Sequence, residues 1–269
     1  MNLADIGPRN YLAAIWSRRH FLLSLVRMDL RLRYRRSALG VVWSLLNPLL
    51  MTAVLCFGFA GILNRSLSDF APFVLIGLAF WQFLQNAALT GCHSLLQAEP
   101  YIRQYPAPLA LYSLRVTLGA MTHHLIALGM AIVLALWFRG NPNPAALLAL
   151  LPAAALIVVL GWAIATVTGF FNAHFPDTSH LLETGLQFLY FLTPILFDPA
   201  DFVKSSPGFA RVLELNPVGW FARLLRDPIL SGAPAPGWVW LGAAVATAAT
   251  ASLAVALLRR WERTLVFKL

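Results

Sequence analysis

Charge is what this chain has least of. Asp, Glu, Lys and Arg make up 12% of its 269 residues, against roughly 25% in an average soluble domain. With 59% hydrophobic residues and a mean hydropathy of +0.70, the composition argues against a water-soluble fold. Lysine is scarcer still, with only Lys204 and Lys268. Neither follows a glycine as the lysine of a phosphate-binding loop must, which excludes that ATP site from this chain. No HExxH, GxSxG or close acidic pair in an apolar setting occurs, so the common hydrolase constellations are missing. The two cysteines, Cys56 and Cys92, fall in or beside apolar runs and read as small packing residues. Ion-coupled carriers bury charge among their spans and often carry inverted repeats, and the sequence supports neither. Metal ligation is disfavoured as well. His123 and His124 are adjacent and diverge by about 100° on a helix. Pro176 interrupts His174, Asp177, His180 and Glu183, where Asp177 fits better as a helix N-cap.

Long apolar runs are what the chain has instead. Ser37–Asn64, Phe70–Ala98, Val116–Phe138, Gly140–Pro176 and Pro228–Leu258 contain no Asp, Glu, Lys or Arg, and a membrane-crossing helix needs only about 20 mostly apolar residues. Five spans follow, at about 39–63, 70–89, 109–137, 145–171 and 238–258. A sixth, Thr178–Phe197, is barely long enough and has His180 and Glu183 in its first turns. Six spans place both termini and fourteen of the twenty basic residues on one face, leaving six on the other. The positive-inside rule makes the fourteen-residue face cytoplasmic, whereas five spans would split the basic ends. The expected fold is an all-α integral membrane protein with six transmembrane helices in a single domain. It comprises a cytoplasmic interface-helix region (1–38), a six-span bundle (39–258) with a gate-like outer loop (198–237), and a cytoplasmic tail (259–269). The net charge of +9 then reports topology and anionic lipid headgroups. No segment is left over for a nucleic-acid domain, and phosphate affinity alone is unspecific. The N-terminal stretch does not read as a cleavable signal, because Arg18, Arg19 and Arg27 interrupt it.

The connecting segments carry their own patterns. In Ala13–Arg36, Phe21, Leu25, Met28 and Leu32 recur at spacings of four, three and four, as in an amphipathic helix lying in the membrane interface; a loose basic anchor is the other reading. Asn47-Pro48 sits inside the first span, where a proline is tolerated if neighbours satisfy the freed carbonyl. Gln82, Gln85 and Asn86 form a polar wall on the second span, serving either packing or an aqueous path. Gly161 and Gly169 point to close helix packing in the fourth. Between Pro100 and Pro106 lies a short segment, Tyr101, Ile102, Arg103, Gln104 and Tyr105, of a shape suited to docking on another protein. The outer loop holds two amphipathic pieces, Phe209–Leu215 and Val218–Leu225, separated by Asn216-Pro217. Phe209, Val212 and Leu213 share one face, as do Phe221, Leu224 and Leu225, while Arg223 and Arg226 are expected to point away. Both pieces are too short to span but apolar enough to re-enter the interface as two short outer helices; a plain surface loop is the alternative.

Four blocks carry a resemblance: "DLRLRYRRSALGVVWSLLNPLL" (Asp29–Leu50), "AEPYIRQYP" (Ala98–Pro106), "FLTPILF" (Phe191–Phe197) and "LNPVGWFARLLRD" (Leu215–Asp227). In the same order and over nearly the whole chain, they resemble the membrane subunits of ABC-2 type transporters that export polysaccharides such as O-antigen, capsule and teichoic acid. The resemblance implies a homodimer of permease subunits in the bacterial cytoplasmic (inner) membrane, bound to two separate nucleotide-binding ATPase subunits. ATP and Mg would belong to those partners, with no cofactor and no enzymatic activity in this chain. It further implies that Tyr101–Tyr105 couples to the ATPase and that the two outer pieces guard the exit. The family's cargo is glycan on a polyprenyl pyrophosphate or another lipid. Arg33, Arg35 and Arg36 at the cytoplasmic hinge of the first span would then receive such a headgroup, or simply meet lipid phosphates for the sake of topology. Aromatic rings offer flat contact to the C–H faces of sugars. Phe57, Phe59, Trp81, Phe83, Phe188, Tyr190 and Phe191 are the candidates to line a glycan path, with ordinary packing or lipid contact as the other reading. An ABC-2 exporter of another lipid or a drug, or an integral membrane transferase, are the rival classes.

Overall fold

Helix follows helix along the chain, and no strand occurs among the described residues. The computed structural model describes residues 8–35, 40–61, 65–104, 107–140, 143–203 and 206–268. The helices are α1 (Pro8–Ser17), α2 (Arg19–Tyr34), α3 (Trp43–Phe59), α4 (Leu67–Cys92), α5 (Ser94–Gln97), α6 (Glu99–Gln104), α7 (Ala110–Arg139), α8 (Pro144–Leu147), α9 (Leu150–His174), α10 (Thr178–Leu192), α11 (Pro207–Leu215), α12 (Pro217–Arg226) and α13 (Gly237–Lys268). Local chemistry sets many of these ends. Ser66 accepts a hydrogen bond from the Asp69 amide and starts α4. Pro144, Pro207 and Pro217 open their helices at the position where a missing N–H costs nothing. Gly140, at φ 82°, ends α7 in a backbone conformation that few side chains tolerate. Asp177 occupies the N-cap position of α10, as expected, although its side chain makes no capping hydrogen bond. The Thr178 hydroxyl bonds back to the Phe175 carbonyl instead.

Contacts at the helix ends define two poles. At one, Tyr11 donates to Glu262, the Leu109 amide donates to the same carboxylate, and His174 stacks near Trp261. We call this the terminal pole. At the other, the loop pole, Arg139 bonds Asp69 and the Leu230 carbonyl, and Arg65 bonds Asp201. Six helices run between the poles: α3, α7 and α10 toward the loop pole, α4, α9 and α13 back. Four are long and apolar enough to cross a membrane, counting α8 and α9 as one leg: Leu67–Cys92, Ala110–Arg139, Pro144–His174 and Gly237–Glu262. The other two have 17 and 15 residues, or about 25 and 22 Å at 1.5 Å per residue, less than the roughly 30 Å of a hydrocarbon core.

The hub is α4, with 72% of its most apolar stretch buried against 33% or less for the other three. A helix apolar all round belongs inside, and α7 and α9 flank it. Small residues set the spacing: a Cβ on Gly91 would lie 2.5 Å from the Ala165 Cα, and one on Gly161 would lie 2.5 Å from the Phe83 ring. Gly169 likewise faces the Gly91 carbonyl, so both glycines read from the sequence as close contacts are in close contact. Cys56 and Cys92 are buried and unpaired, as expected of packing residues.

The N-terminal amphipathic region differs from its expectation in two ways. It is two helices meeting at Arg18, and the buried face of α2 is Leu22, Leu25 and Val26, with Leu32 exposed. These side chains join a second core at the terminal pole with Leu95, Ile102, Leu109, Tyr112 and Leu258. Each contributes about 1.5–3 kcal/mol of apolar burial at most. Asp29 also pairs with Arg115 of α7. The helix is thus fastened to the bundle along its inner face, with its outer face left polar.

Candidate functional site

Construction of the loop pole begins with a break. After α10 the chain turns at Thr193-Pro194-Ile195, leaving carbonyls without helical partners. The guanidinium of Arg226, at the end of α12, takes them up: it donates to the carbonyls of Pro194 (2.6 Å), Ile195 (2.7 Å) and Phe73 (3.2 Å), and its centre lies 3.6 Å from the Phe73 ring centroid. The residue is buried, which corrects the expectation that Arg226 points away. Burial pushes the guanidinium down to about 9, so it stays charged at neutral pH. Gly77 makes the room, since a Cβ there would run into Nη2. Asn216 ties the same turn to α11 and α12: its amide nitrogen donates to the Leu192 carbonyl and Thr193 hydroxyl, while its oxygen caps α12 at the Val218 amide.

Around this anchor the two outer helices behave differently. Phe221, Leu224 and Leu225 of α12 are buried against the bundle, so the apolar face expected to dip into the interface is spent on α4, α9 and α13. On α11, Leu213 is buried, but Phe209 is 37% and Val212 55% exposed. Phe209 completes an aromatic trio with Phe197 and Phe202, at 6.5 and 5.3 Å between centroids. Arg223, Arg226, Arg65 and Arg139, with Asp198, Glu214 and Asp227, surround a pocket of about 520 Å³ that Trp220 and Trp238 also line. Burial raises the Asp227 carboxyl, and neighbouring Arg223, 3.1 Å away, pulls it back down.

At the terminal pole, Tyr101, Ile102, Arg103 and Gln104 lie on α6, which begins one residue before Pro100. Ile102 is buried in the second core, Tyr101 is half-buried with its hydroxyl 3.9 Å from the Met28 sulfur, and Arg103 and Gln104 are exposed, Arg103 paired with Glu99. One side of the segment therefore holds it in place, and the other is presented outward. Tyr105 lies outside the described residues, as does Arg36. Arg33 and Arg35 are exposed on α2.

The aromatic candidates divide into two groups. Trp81 and Phe83 are buried in the bundle core, Trp81 edge-on to Tyr190 at 5.3 Å and Phe83 against His124 at 5.5 Å. Phe57, Phe188 and Phe191 are open, at 93%, 68% and 66%. Phe59 is exposed and Tyr190 half-buried. The open rings stand on α3 and α10, the two shorter legs. Only Leu186 is buried on α10, and only Pro48, Thr52 and Cys56 on α3. The polar wall is divided too, with Gln85 exposed while Gln82 and Asn86 line a cavity beside α2.

Two thin apolar legs, an amphipathic helix fastened to the bundle and an arginine-anchored loop pole thus frame the four long apolar helices. The sequence pattern of ABC-2 type transporters matches residues 20–230, which is most of this architecture. The chain belongs to the ABC-2 type transporter family. Its similar relatives include the O-antigen export system permease protein RfbA of Myxococcus xanthus, 24% identical over 76% of this chain and 78% of the relative, and that of Klebsiella pneumoniae, 22% identical over 78% and 80%. The polysialic acid transport protein KpsM of Escherichia coli is 22% identical over 90% of this chain and 94% of its own. An ABC-2 permease is a transport subunit of the membrane, and the relatives support polysaccharide export.

Two features of this ABC-2 chain escaped the sequence. The Arg226 anchor carried a faint signal: Gly77 stands in the middle of the large apolar side chains of α4. The clamp of Glu262 on Tyr11 (3.0 Å) and the Leu109 amide (2.8 Å) carried none, because its members lie 251 and 153 residues apart. Burial drives the Tyr11 hydroxyl well above the ordinary phenol range, so it remains a donor.

Proposed function

We propose that the chain is the permease subunit of an ATP-driven exporter that moves a lipid-linked polysaccharide, such as O-antigen, out of the bacterial cytoplasm across the inner membrane. The observation that carries this is the family match over residues 20–230, together with relatives named as O-antigen and polysialic acid permeases. Two copies of the chain pair through α3 and α10, whose faces the single protomer leaves open, and two ATPase subunits hold ATP and Mg. All six legs cross, with the two short ones sheltered by the second copy and both termini in the cytoplasm. The α11–α12 pair re-enters at the outer face. Arg103 and Gln104 on the outward side of α6, with Tyr105 following, transmit the ATPase motion, and the α2 arginines Arg33 and Arg35, with Arg36, attract the phosphate-bearing end of the cargo.

The open rings Phe57, Phe188 and Phe191 give sugars flat, low-specificity contacts along a path between the copies, on which a polymer can rest and slide. Trp81 and Phe83 contribute by holding the wall rather than by touching cargo. The test is replacement in the native host. Deleting the chain should remove the surface polysaccharide and accumulate lipid-linked glycan inside, with the wild-type chain reversing both. Phe188→Ala should change folding stability by less than about 0.5 kcal/mol yet slow export. Normal surface polysaccharide in the deletion strain would refute the function, and full-rate export by Phe188→Ala would remove that ring from the path.

A further inference from the structure

A groove of mixed polar and apolar lining lies beside α2, in two parts that share lining residues. The part nearer the terminal pole, about 290 Å³, is lined by Asp29, Arg33, Asn86, Ser94, Tyr112 and Arg115. The deeper part, about 210 Å³, is lined by Arg33, Asn47, Gln82, Asn86, His123 and His124. Arg33, Asn86 and His123 belong to both. Three polar atoms of groove-lining residues are buried without a hydrogen-bond partner among the described residues: Tyr112 Oη, Ser94 Oγ and His124 Nε2. Their side chains are 1%, 4% and 2% exposed. Leaving such atoms unpaired costs about 1–3 kcal/mol each, so three along one groove point to an occupant.

The chemistry of the lining selects that occupant. Tyr112 and Ser94 bring hydroxyl groups to the same part of the groove that Arg33 lines. Arg115 is paired with Asp29, and Arg18 adds positive field behind Tyr112 without lining the groove. One uncompensated cation lining the groove, with two free hydroxyls, suits the single negative charge of a phosphodiester. Deeper in, the His124 Nδ1 lies 3.0 Å from the Ala79 carbonyl and must carry the proton, which leaves Nε2 as an acceptor. With Asn47, Gln82 and Asn86 around it, that end suits hydroxyl groups. Exposed Trp43 lines the deeper part and offers apolar surface to an acyl chain.

We propose that this groove binds the phosphodiester headgroup of a hydroxyl-bearing anionic phospholipid of the phosphatidylglycerol type, with Arg33, Tyr112 and Ser94 on the phosphate and the His124 end on the headgroup hydroxyls. The proposal rests on the chain lying in a membrane and is independent of what the transporter exports.

The test is the thermal unfolding midpoint of the purified full chain in neutral detergent, titrated with short-chain phosphatidylglycerol, phosphatidylcholine or inorganic phosphate. A ligand of the folded state raises the midpoint with concentration. Phosphatidylglycerol should do so at concentrations where phosphatidylcholine does not. Tyr112→Phe should leave the lipid-free midpoint unchanged or higher, because its hydroxyl has no partner in the protein, and should weaken phosphatidylglycerol binding about tenfold, the worth of one hydrogen bond to a charged group. Arg33→Gln, at an exposed position that leaves packing intact, should weaken it at least as much. Equal stabilisation by both lipids, or phosphatidylglycerol binding untouched by either variant, overturns the site. Inorganic phosphate matching the lipid overturns the lipid as its source.

Discussion

At the loop pole Arg65, Arg139 and Arg223 each meet a carboxylate and Arg226 is enclosed by three carbonyls, whereas at the terminal pole Arg27, Arg31 and Arg35 are exposed, Arg33 is exposed along the groove beside α2, and none of the four makes an ion pair among the described residues. Along the sequence, fourteen basic residues on the terminal side face six acids, and six on the loop side face five, so eight of the nine net positive charges lie on the terminal side. The same residue type thus serves two purposes. Compensated arginines cross-link the loop-pole segments and add to the apolar burial of Leu213, Phe221, Leu224 and Leu225, while exposed, uncompensated ones are of the kind that attracts anionic headgroups. A bare count of basic residues understates the difference between the faces, because most of the loop-pole charge is cancelled locally.

Breaking the loop-pole anchor should have the largest effect. Arg226→Ala leaves three carbonyls without their cationic donor and should cost about 3 kcal/mol or more, read as a drop in thermal midpoint and as new protease sensitivity near Pro194 and Asn216. A midpoint close to wild type would mean that the anchor does not hold the pole. The close packing of the hub between the poles is tested at Gly91: Gly91→Val forces α4 away from Ala165 of α9 and should cost about 1–3 kcal/mol, with helical content retained by circular dichroism.

The terminal pole has one internal fastening of its own. Glu262→Ala strands the Leu109 amide and the Tyr11 hydroxyl, at a cost of about 1–3 kcal/mol, while Glu262→Gln keeps an acceptor oxygen and should be markedly milder by the same thermal measurement. Arg31→Ala should change stability least, by under about 0.5 kcal/mol. Its effect should appear instead in the amount of anionic lipid retained by the detergent-solubilised protein, reduced relative to wild type and most clearly at low salt. A stability loss comparable to that of Arg226→Ala would erase the distinction between the poles.

The long legs were legible because their signal is local: charge-free runs and caps lie next to one another in the sequence. The α6 segment between its prolines and the Asn216-Pro217 junction were legible for the same reason. The inner face of α2 was legible in part: Leu25 is buried and Phe21 and Met28 pack against the same core, but Leu22 and Val26 lie deeper and Leu32 is exposed, because only the surface they meet decides which flank of an apolar stripe is covered. Arg226 was misread because its burial depends on Gly77, 149 residues away, and on carbonyls freed at Pro194. Among the aromatic residues, composition marked the whole set, but which rings face outward depends on how α3, α4 and α10 rotate against each other. No periodicity in a uniformly apolar helix records that rotation.

The proposed glycan path, driven from outside the chain, is tested by reconstituting the chain with its partner ATPase in vesicles and following the transfer of lipid-linked polysaccharide to the outer surface. Transfer should require this chain, the ATPase and ATP together, and Phe188→Ala should slow it while leaving assembly intact. Transfer that proceeds without ATP or without the ATPase, or no transfer of any lipid-linked polysaccharide by the intact complex, would contradict it.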